Sequence, residues 1–274
     1  MIKTLGFIGA GNMAQAFFRR FLQDGLLDAA HILISDVNKP LTDALHAELG
    51  VRVSSDNVSL VRDADAVMLA VKPIYCAAVL REIREALGET PLLSIVTGWT
   101  LPMLQDALRP GAHLLRVMPN TPVMVGEGMT LLGESHTLTA QEMTFAQRIF
   151  ADAGRVQVLE DRLFNAATAI SGCGPAFVYQ IIEALGDAGV MHGVPRAMAY
   201  QLAAQMVMGA GKMVLESGQH PAALKDAVCS PGGTTIQGVF AMEKAGVRAA
   251  MINAVTDALT KTEALSEAAK KEKA

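Results

Sequence analysis

The chain has 274 residues, of which 51% are apolar and 18% charged, and its formal net charge is −4. That length suits two domains with an ample core, and the composition excludes a disordered chain. A mildly acidic balance with no dense basic stripe gives no electrostatic reason to expect nucleic acid.

The first element is the apolar run Leu5-Gly6-Phe7-Ile8, followed by Gly9-Ala10-Gly11-Asn12-Met13-Ala14. The pattern predicts a buried strand, a tight turn at Gly9 and a helix carrying Ala14, Phe17, Phe21 and Leu22 on one face. Gly11 would let the backbone approach a ligand, and Ala14 would let the helix pack on its strand. Free N–H groups at such a helix start suit a pyrophosphate, which makes Gly9, Ala10, Gly11, Asn12 and Met13 candidate dinucleotide-binding residues. The plain alternative is a strand–turn–helix corner.

Further along, His31–Asp36, Val51–Val53, Ala64–Val71, Leu92–Val96 and Leu114–Met118 read as strands. Helical spacing separates them: Leu41, Leu45 and Leu49, then Val79, Ile83 and Leu87, then Leu104 and Leu108. Two more strand candidates, Met129–Leu132 and Val156–Leu159, bracket a helix through Met143, Phe145 and Ile149. Alternating β and α predicts a doubly wound α/β sheet with helices on both faces.

After about residue 160 only helical periodicity remains, so the expected division is a dinucleotide-binding domain over 1–160 and a helical domain over 161–274. Leu163 to Ile182 carries no charge, yet its polar residues, glycines and Pro175 argue for a helix buried in protein and against a membrane span. Pro195 is expected at the first position of a helix whose Met198, Leu202, Met206 and Met213 form a core-filling stripe. The stretch from Glu263 onward reads as a helix fraying into solvent. The apolar surface of this half exceeds what one small helical domain covers, which predicts a homo-oligomer. Three widely spaced cysteines, Cys76, Cys173 and Cys229, read as reduced thiols of a cytoplasmic protein, and the start of the chain reads as neither signal nor transit peptide.

Candidate chemistry lies at strand ends. Asp36, beside Ser35, stands where an acidic residue takes ribose hydroxyls, or else forms a turn before Asn38 and Pro40. Ala70-Val71-Lys72-Pro73 and Thr97-Gly98 end two strands and could approach the cofactor; Lys72 could equally be a surface lysine. Asn120, in the rigid Met118-Pro119-Asn120-Thr121-Pro122 loop, suits a ligand contact or a bond within its own turn. In the second half, Cys229-Ser230-Pro231-Gly232-Gly233-Thr234-Thr235-Ile236 separates two helices. Its glycines, hydroxyls and N–H groups make an anion site sized for a carboxylate, the alternative being an ordinary capped helix corner.

The six histidines are scattered singly, with no metal-ligand spacing. No lysine lies between Lys72 and Lys212, so the inter-domain helix lacks the acid–base group with which many two-domain dehydrogenases handle a hydroxyl or carbonyl. A cyclic imine needs no such group, because its protonated form accepts hydride directly. A 3-hydroxy or 2-keto acid dehydrogenase and a catalytically silent dinucleotide module remain the alternatives.

The chain resembles the pyrroline-5-carboxylate reductases nearly end to end. The resemblance is carried by Phe7–Met13, Ala70–Pro73, Arg116–Pro122, Ser171-Gly-Cys-Gly-Pro-Ala176 and Leu224–Ile236. It implies a Rossmann domain followed by an all-helical dimerisation domain, a homodimer or larger assembly with its active site between subunits, and reduction of 1-pyrroline-5-carboxylate to L-proline. It further implies that Ser230, Gly232, Gly233, Thr234 and Thr235 hold the substrate carboxylate, with the Thr235 hydroxyl on the ring nitrogen as the catalytic contact. Ala70, Val71, Lys72, Pro73, Thr97, Gly98 and Asn120 would line the cofactor. NADPH is the cofactor the resemblance implies, and Asp36, which would repel a 2′-phosphate, leaves NADH possible as well.

Overall fold

The computed structural model describes residues 3–273. Eight strands form one sheet: β1 (Leu5–Ile8), β2 (Ile32–Ser35), β3 (Arg52–Val53), β4 (Ala66–Leu69), β5 (Leu92–Ser94), β6 (Leu114–Met118), β7 (Gly128–Gly133) and β8 (Gly154–Leu159). Their order is β3-β2-β1-β4-β5-β6-β7-β8, so the direction of winding reverses between β1 and β4. The first six strands are parallel to one another; β7 runs antiparallel to β6, and β8 is parallel to β7.

Alternation along each strand divides the core between the two faces of the sheet. Leu5 and Phe7 of β1, Ile32 and Ile34 of β2, and Ala66 and Met68 of β4 share one cluster with α1 (Asn12–Gln23), α2 (Lys39–Leu49) and α6 (Ala140–Asp152). Ile8, Leu33, Val67 and Leu69 face the other way. They pack with α3 (Asn57–Asp63), α4 (Pro73–Ile83) and α5 (Leu101–Ala107). Helix α1 anchors the first face through Phe17, Phe18 and Phe21, all fully buried. Edge-to-face pairs of Phe18 with Phe7 and of Phe17 with Phe150 add about 1 kcal/mol each beyond burial.

Helix α7 (Asp161–Ser171) packs Phe164 against Met118 and Leu131 of the sheet. By contacts it belongs with the sheet: the compact units are residues up to Cys173 together with those from Ala258 onward, and Gly174–Asp257. The expected boundary at 160/161 therefore differs from the division by contacts, because α7 buries its apolar face on strands. The last part of α12 (Val247–Lys273) also joins the first unit, burying Thr262, Ser266 and Ala269. A tail fraying from Glu263 is thus corrected to a docked helix.

The second unit contains α8 (Gly174–Met191), α9 (Arg196–Ser217), α10 (Pro221–Val228) and α11 (Thr234–Lys244). Three expectations fail here. The uncharged stretch is not one helix; it breaks at Gly172–Cys173, where Gly174 and Pro175 start α8 afresh. Nor is it buried on most sides within the chain: Ile170 and Tyr179 are exposed, and among the α8 residues only Gly186 is buried. The methionine stripe is likewise no core of the single chain, since Met198, Leu202, Met206 and Met213 are 51–61% exposed while Ala199 and Ala203 are buried. Helix α9 buries the small Ala199 beside Gly189 and half-buries Tyr200 against Gly186, while the large residues of the stripe lie outside. Pro195 is the cap preceding α9, one position before the expected first-turn site.

Candidate active site

At the carboxyl end of β1 the chain turns sharply at Gly9, whose φ is +95° and whose N–H donates to the Ser35 carbonyl at 2.8 Å. A Cβ there would stand 2.6 Å from the Ala70 carbonyl oxygen, so both the left-handed backbone and the closeness of β4 require glycine. Gly11 caps α1 without any side-chain bond, and a Cβ on it would meet nothing within 4 Å. The space beside the start of α1 is thus open and its cap carries no side-chain bond, which leaves room for a pyrophosphate there.

Asp36 ends β2 half-buried. One carboxylate oxygen accepts the Ala10 N–H at 2.7 Å and the other the Asn38 N–H at 2.9 Å. The turn-forming alternative is therefore realised, and the same side chain steadies the glycine loop. Ser35 is buried, its hydroxyl donating to Asn57 Oδ1 at 2.9 Å; Asn57 in turn donates to Glu82 at 2.8 Å.

A cleft of about 310 Å³ opens at the carboxyl ends of β4, β5 and β6. Met13, Ala70, Val71, Thr97, Met118 and Pro119 form one side of it, while Thr168, Gly172, Cys173 and Thr262 form the other. Hollows of about 690 and 1070 Å³ contain none of the expected residues, and the larger lies by the amino ends of β1 and β6, opposite the edge where open α/β sheets bind ligands. Thr97 reaches the cleft, but Gly98 does not line it. With φ +84°, Gly98 packs beneath the Leu265–Ser266 backbone, 3.4 Å from where its Cβ would be. The neighbouring Trp99, the single tryptophan, is fully buried. Lys72 is exposed at the start of α4, where Pro73 takes the first turn. Asn120 is only 8% exposed, and its amide serves the fold: Nδ2 donates to the Ser171 carbonyl at 3.0 Å while Oδ1 accepts the Met129 N–H at 2.9 Å. Neither sequence-based alternative for Asn120 foresaw those partners. Thr168, Cys173 and Thr262 were missed as cleft residues, because nothing local in the sequence shows that α7 and the end of α12 cover this edge.

The second candidate element lies in the helical unit. Pro231 and Gly232, the latter at φ +69°, form the centre of a type II turn, with the Gly233 N–H donating to the Ser230 carbonyl at 3.0 Å. A Cβ on Gly233 would collide with Ser230 Oγ. The turn delivers the chain into α11 with Gly233 as the cap and no side-chain cap bond, so the ordinary capped corner is not what forms. The Thr234 and Thr235 hydroxyls have no hydrogen-bond partner among the described residues. Among those residues there is also no group of three metal-ligating side chains, and no helix is long and apolar enough to cross a membrane.

Residues 161–265 match the family model for pyrroline-5-carboxylate reductase dimerisation, and residues 4–98 match that for coenzyme F420-dependent NADP oxidoreductase. The pyrroline-5-carboxylate reductase of Methanosarcina acetivorans is 41% identical over 97% of this chain and 98% of its own length. The chain belongs to the pyrroline-5-carboxylate reductase family. The family's Escherichia coli enzyme is 40% identical over 97% of this chain and the whole of its own length. The Plasmodium falciparum pyrroline carboxylate reductase, solved with NADP bound, superposes with a TM-score of 0.89 at 31% identity, covering 97% of this chain and all of that one. A doubly wound nucleotide domain followed by a helical dimerisation domain is accordingly the fold of this family member.

Proposed function

We propose that the protein reduces 1-pyrroline-5-carboxylate to L-proline, the last step of proline formation, with NAD(P)H as hydride donor. The reading is supported above all by the turn at Ser230–Thr235, where an uncapped helix start and two unengaged hydroxyls fit a small carboxylate beside a ring nitrogen. The N–H groups behind Gly232 and Gly233, with Ser230 and Thr234, bind the carboxylate. The Thr235 hydroxyl bonds the ring nitrogen and orients the imine. Bound NAD(P)H supplies hydride to the imine carbon; as that C=N bond becomes single, the protonated nitrogen becomes the secondary amine of proline. No lysine general acid is required, because the proton is already on the iminium.

The α1 turn, from Gly9 to Met13, holds the pyrophosphate. Ser35 and Asp36 border the adenosine side, Ala70–Pro73 and Thr97 the nicotinamide side. Gly98 supports the latter by carrying Thr97, and Asn120 through its bonds to β7 and α7. The donor is NAD(P)H, with NADPH expected from the family and NADH left open by Asp36. Residues 1–160 carry the cofactor, and residues 161–274 bind substrate and form a homodimer or higher assembly through the exposed apolar faces of α8 and α9. Three free cysteines fit a cytoplasmic enzyme.

NAD(P)H oxidation in the presence of pyrroline-5-carboxylate tests the activity. Turnover with proline as product is expected, and no turnover with either cofactor would refute it. A strictly monomeric mass by light scattering would refute the assembly.

A further inference from the structure

The two side chains that tie α7 to the sheet come from one strand end. Arg116 lies inside β6 on the same face as Met118 and is 4% exposed. Its guanidinium lies over the Phe164 ring, 4.0 Å from the centroid, and its Nη2 donates to Asn165 Oδ1 at 2.8 Å. Four residues on, Asn120 donates to the Ser171 carbonyl. Asn165 is near the first turn of α7 and Ser171 is its last residue, so the helix is gripped toward both ends. Thr168 lies between the grips, and Gly172 and Cys173 follow directly. These three face Met118 and Pro119, also from the β6 end, across the cleft.

We propose that Arg116 and Asn120 are positioning residues, forming a two-point clamp that sets the distance between the α7 and β6 walls of the cofactor cleft. A buried cation is a costly means of holding a helix that Phe164 already anchors, since an apolar pair would hold it as firmly. What the planar guanidinium adds is direction: stacking and an in-plane N–H bond fix how α7 is rotated as well as how close it lies. Asn120 adds a second fixed point, with its carbonyl pinned by the Met129 N–H. The inference rests on the dinucleotide reading of the cleft.

Asn165→Leu removes the acceptor while keeping the branched shape, Asn165→Asp restores one, and Asn120→Asp replaces the donor to Ser171 by a carboxylate oxygen while keeping the acceptor for the Met129 N–H. Kd for NADP+ by calorimetry, steady-state constants and Tm are measured for each. Asn165→Leu and Asn120→Asp are expected to raise the Kd and the cofactor KM at least fivefold, while the KM for pyrroline-5-carboxylate changes less than twofold. Asn165→Asp is expected to stay within twofold of the parent. A fall in Tm with unchanged cofactor Kd in both Asn165→Leu and Asn120→Asp would make the clamp merely structural and overturn the proposal. If Asn165→Leu does not fold, Asn120→Asp decides alone by the same criteria. A parent that binds no NADP+ would instead overturn the dinucleotide reading.

Discussion

Gly9 and Gly11 belong to one turn but are glycine for different reasons, and alanine substitution separates them. At Gly9 the φ of +95° costs an L residue about 1–2 kcal/mol. The added Cβ would also stand 2.6 Å from the Ala70 oxygen, about 0.8 Å inside ordinary contact. Relief requires parting β1 from β4, where the Ala70 N–H bonds the Ile8 carbonyl at 2.8 Å. Together these give about 3–5 kcal/mol, or a Tm lower by roughly 6–20 °C at 2–4 °C per kcal/mol. At Gly11 the φ is −70° and the space is open. There alanine loses only part of a cap preference, about 0.5–1 kcal/mol, or a few degrees. Its Cβ does, however, enter the space in front of the α1 N–H groups, where a pyrophosphate would lie. Differential scanning calorimetry and NADP+ titration on both variants provide the test. Gly9→Ala should fall mainly in Tm, and Gly11→Ala should lose about thirtyfold or more in affinity, about 2 kcal/mol. A Gly11→Ala protein that binds as the parent does, or a Gly9→Ala protein with unchanged Tm, would refute the reasoning.

Three further outcomes are expected. Thr235→Ala should lower kcat/KM for pyrroline-5-carboxylate by about 10²-fold with cofactor Kd little changed, as expected for a lost contact to the reacting nitrogen; an unchanged rate removes Thr235 from the mechanism. Asp36→Asn keeps an acceptor for the Ala10 N–H but deletes a charge. It should move the NADPH-to-NADH ratio of kcat/KM upward by about tenfold, since a unit pair ~6 Å apart at a solvent-exposed site of effective dielectric ~40 interacts by ~1.4 kcal/mol; a constant ratio would place Asp36 out of reach of the 2′ position. Burial works to raise the Glu142 carboxyl, but its bonds to His113 Nδ1 at 2.8 Å and to the Thr139 N–H hold it below its usual range. A lowered carboxyl contributes stability that is full at neutral pH and lost as pH falls through its folded-state value. The Tm gap between parent and Glu142→Gln should therefore be positive at pH 7 and close toward pH 3; a gap independent of pH refutes that assignment.

The sheet was legible because buried parallel strands write themselves as short apolar runs: β6 falls on Leu114–Met118, as the pattern predicts. Helix α3 was not legible. Its seven residues hold only Leu60 and Val61 inside, too few for a periodicity, although Asp56 capping the Ser59 N–H marks its start. The direction of β7 also escaped, since an apolar run does not say which way it is crossed. At the site, the glycine turns could be read from local conformation alone. Ser35 and Asn120 could not, because their partners lie 22 and 51 residues away and a polar residue at a strand end reads the same whether it faces a ligand or the fold. The stripe on α9 has the right period but no cover among the described residues: periodicity reports that a face is apolar without saying which molecule covers it.

Trp99 carries a practical consequence. It is the only tryptophan, it is shut away from water, and it follows Thr97 and Gly98 on the loop that ends β5. All indole emission of this chain therefore comes from one buried ring two residues beyond Thr97 of the cleft. Reduced nicotinamide absorbs where indole emits, so a bound NADH or NADPH would dim Trp99 and glow in its place. On the proposed reading of the cleft, the emission of this one indole would report cofactor occupancy without label or substrate.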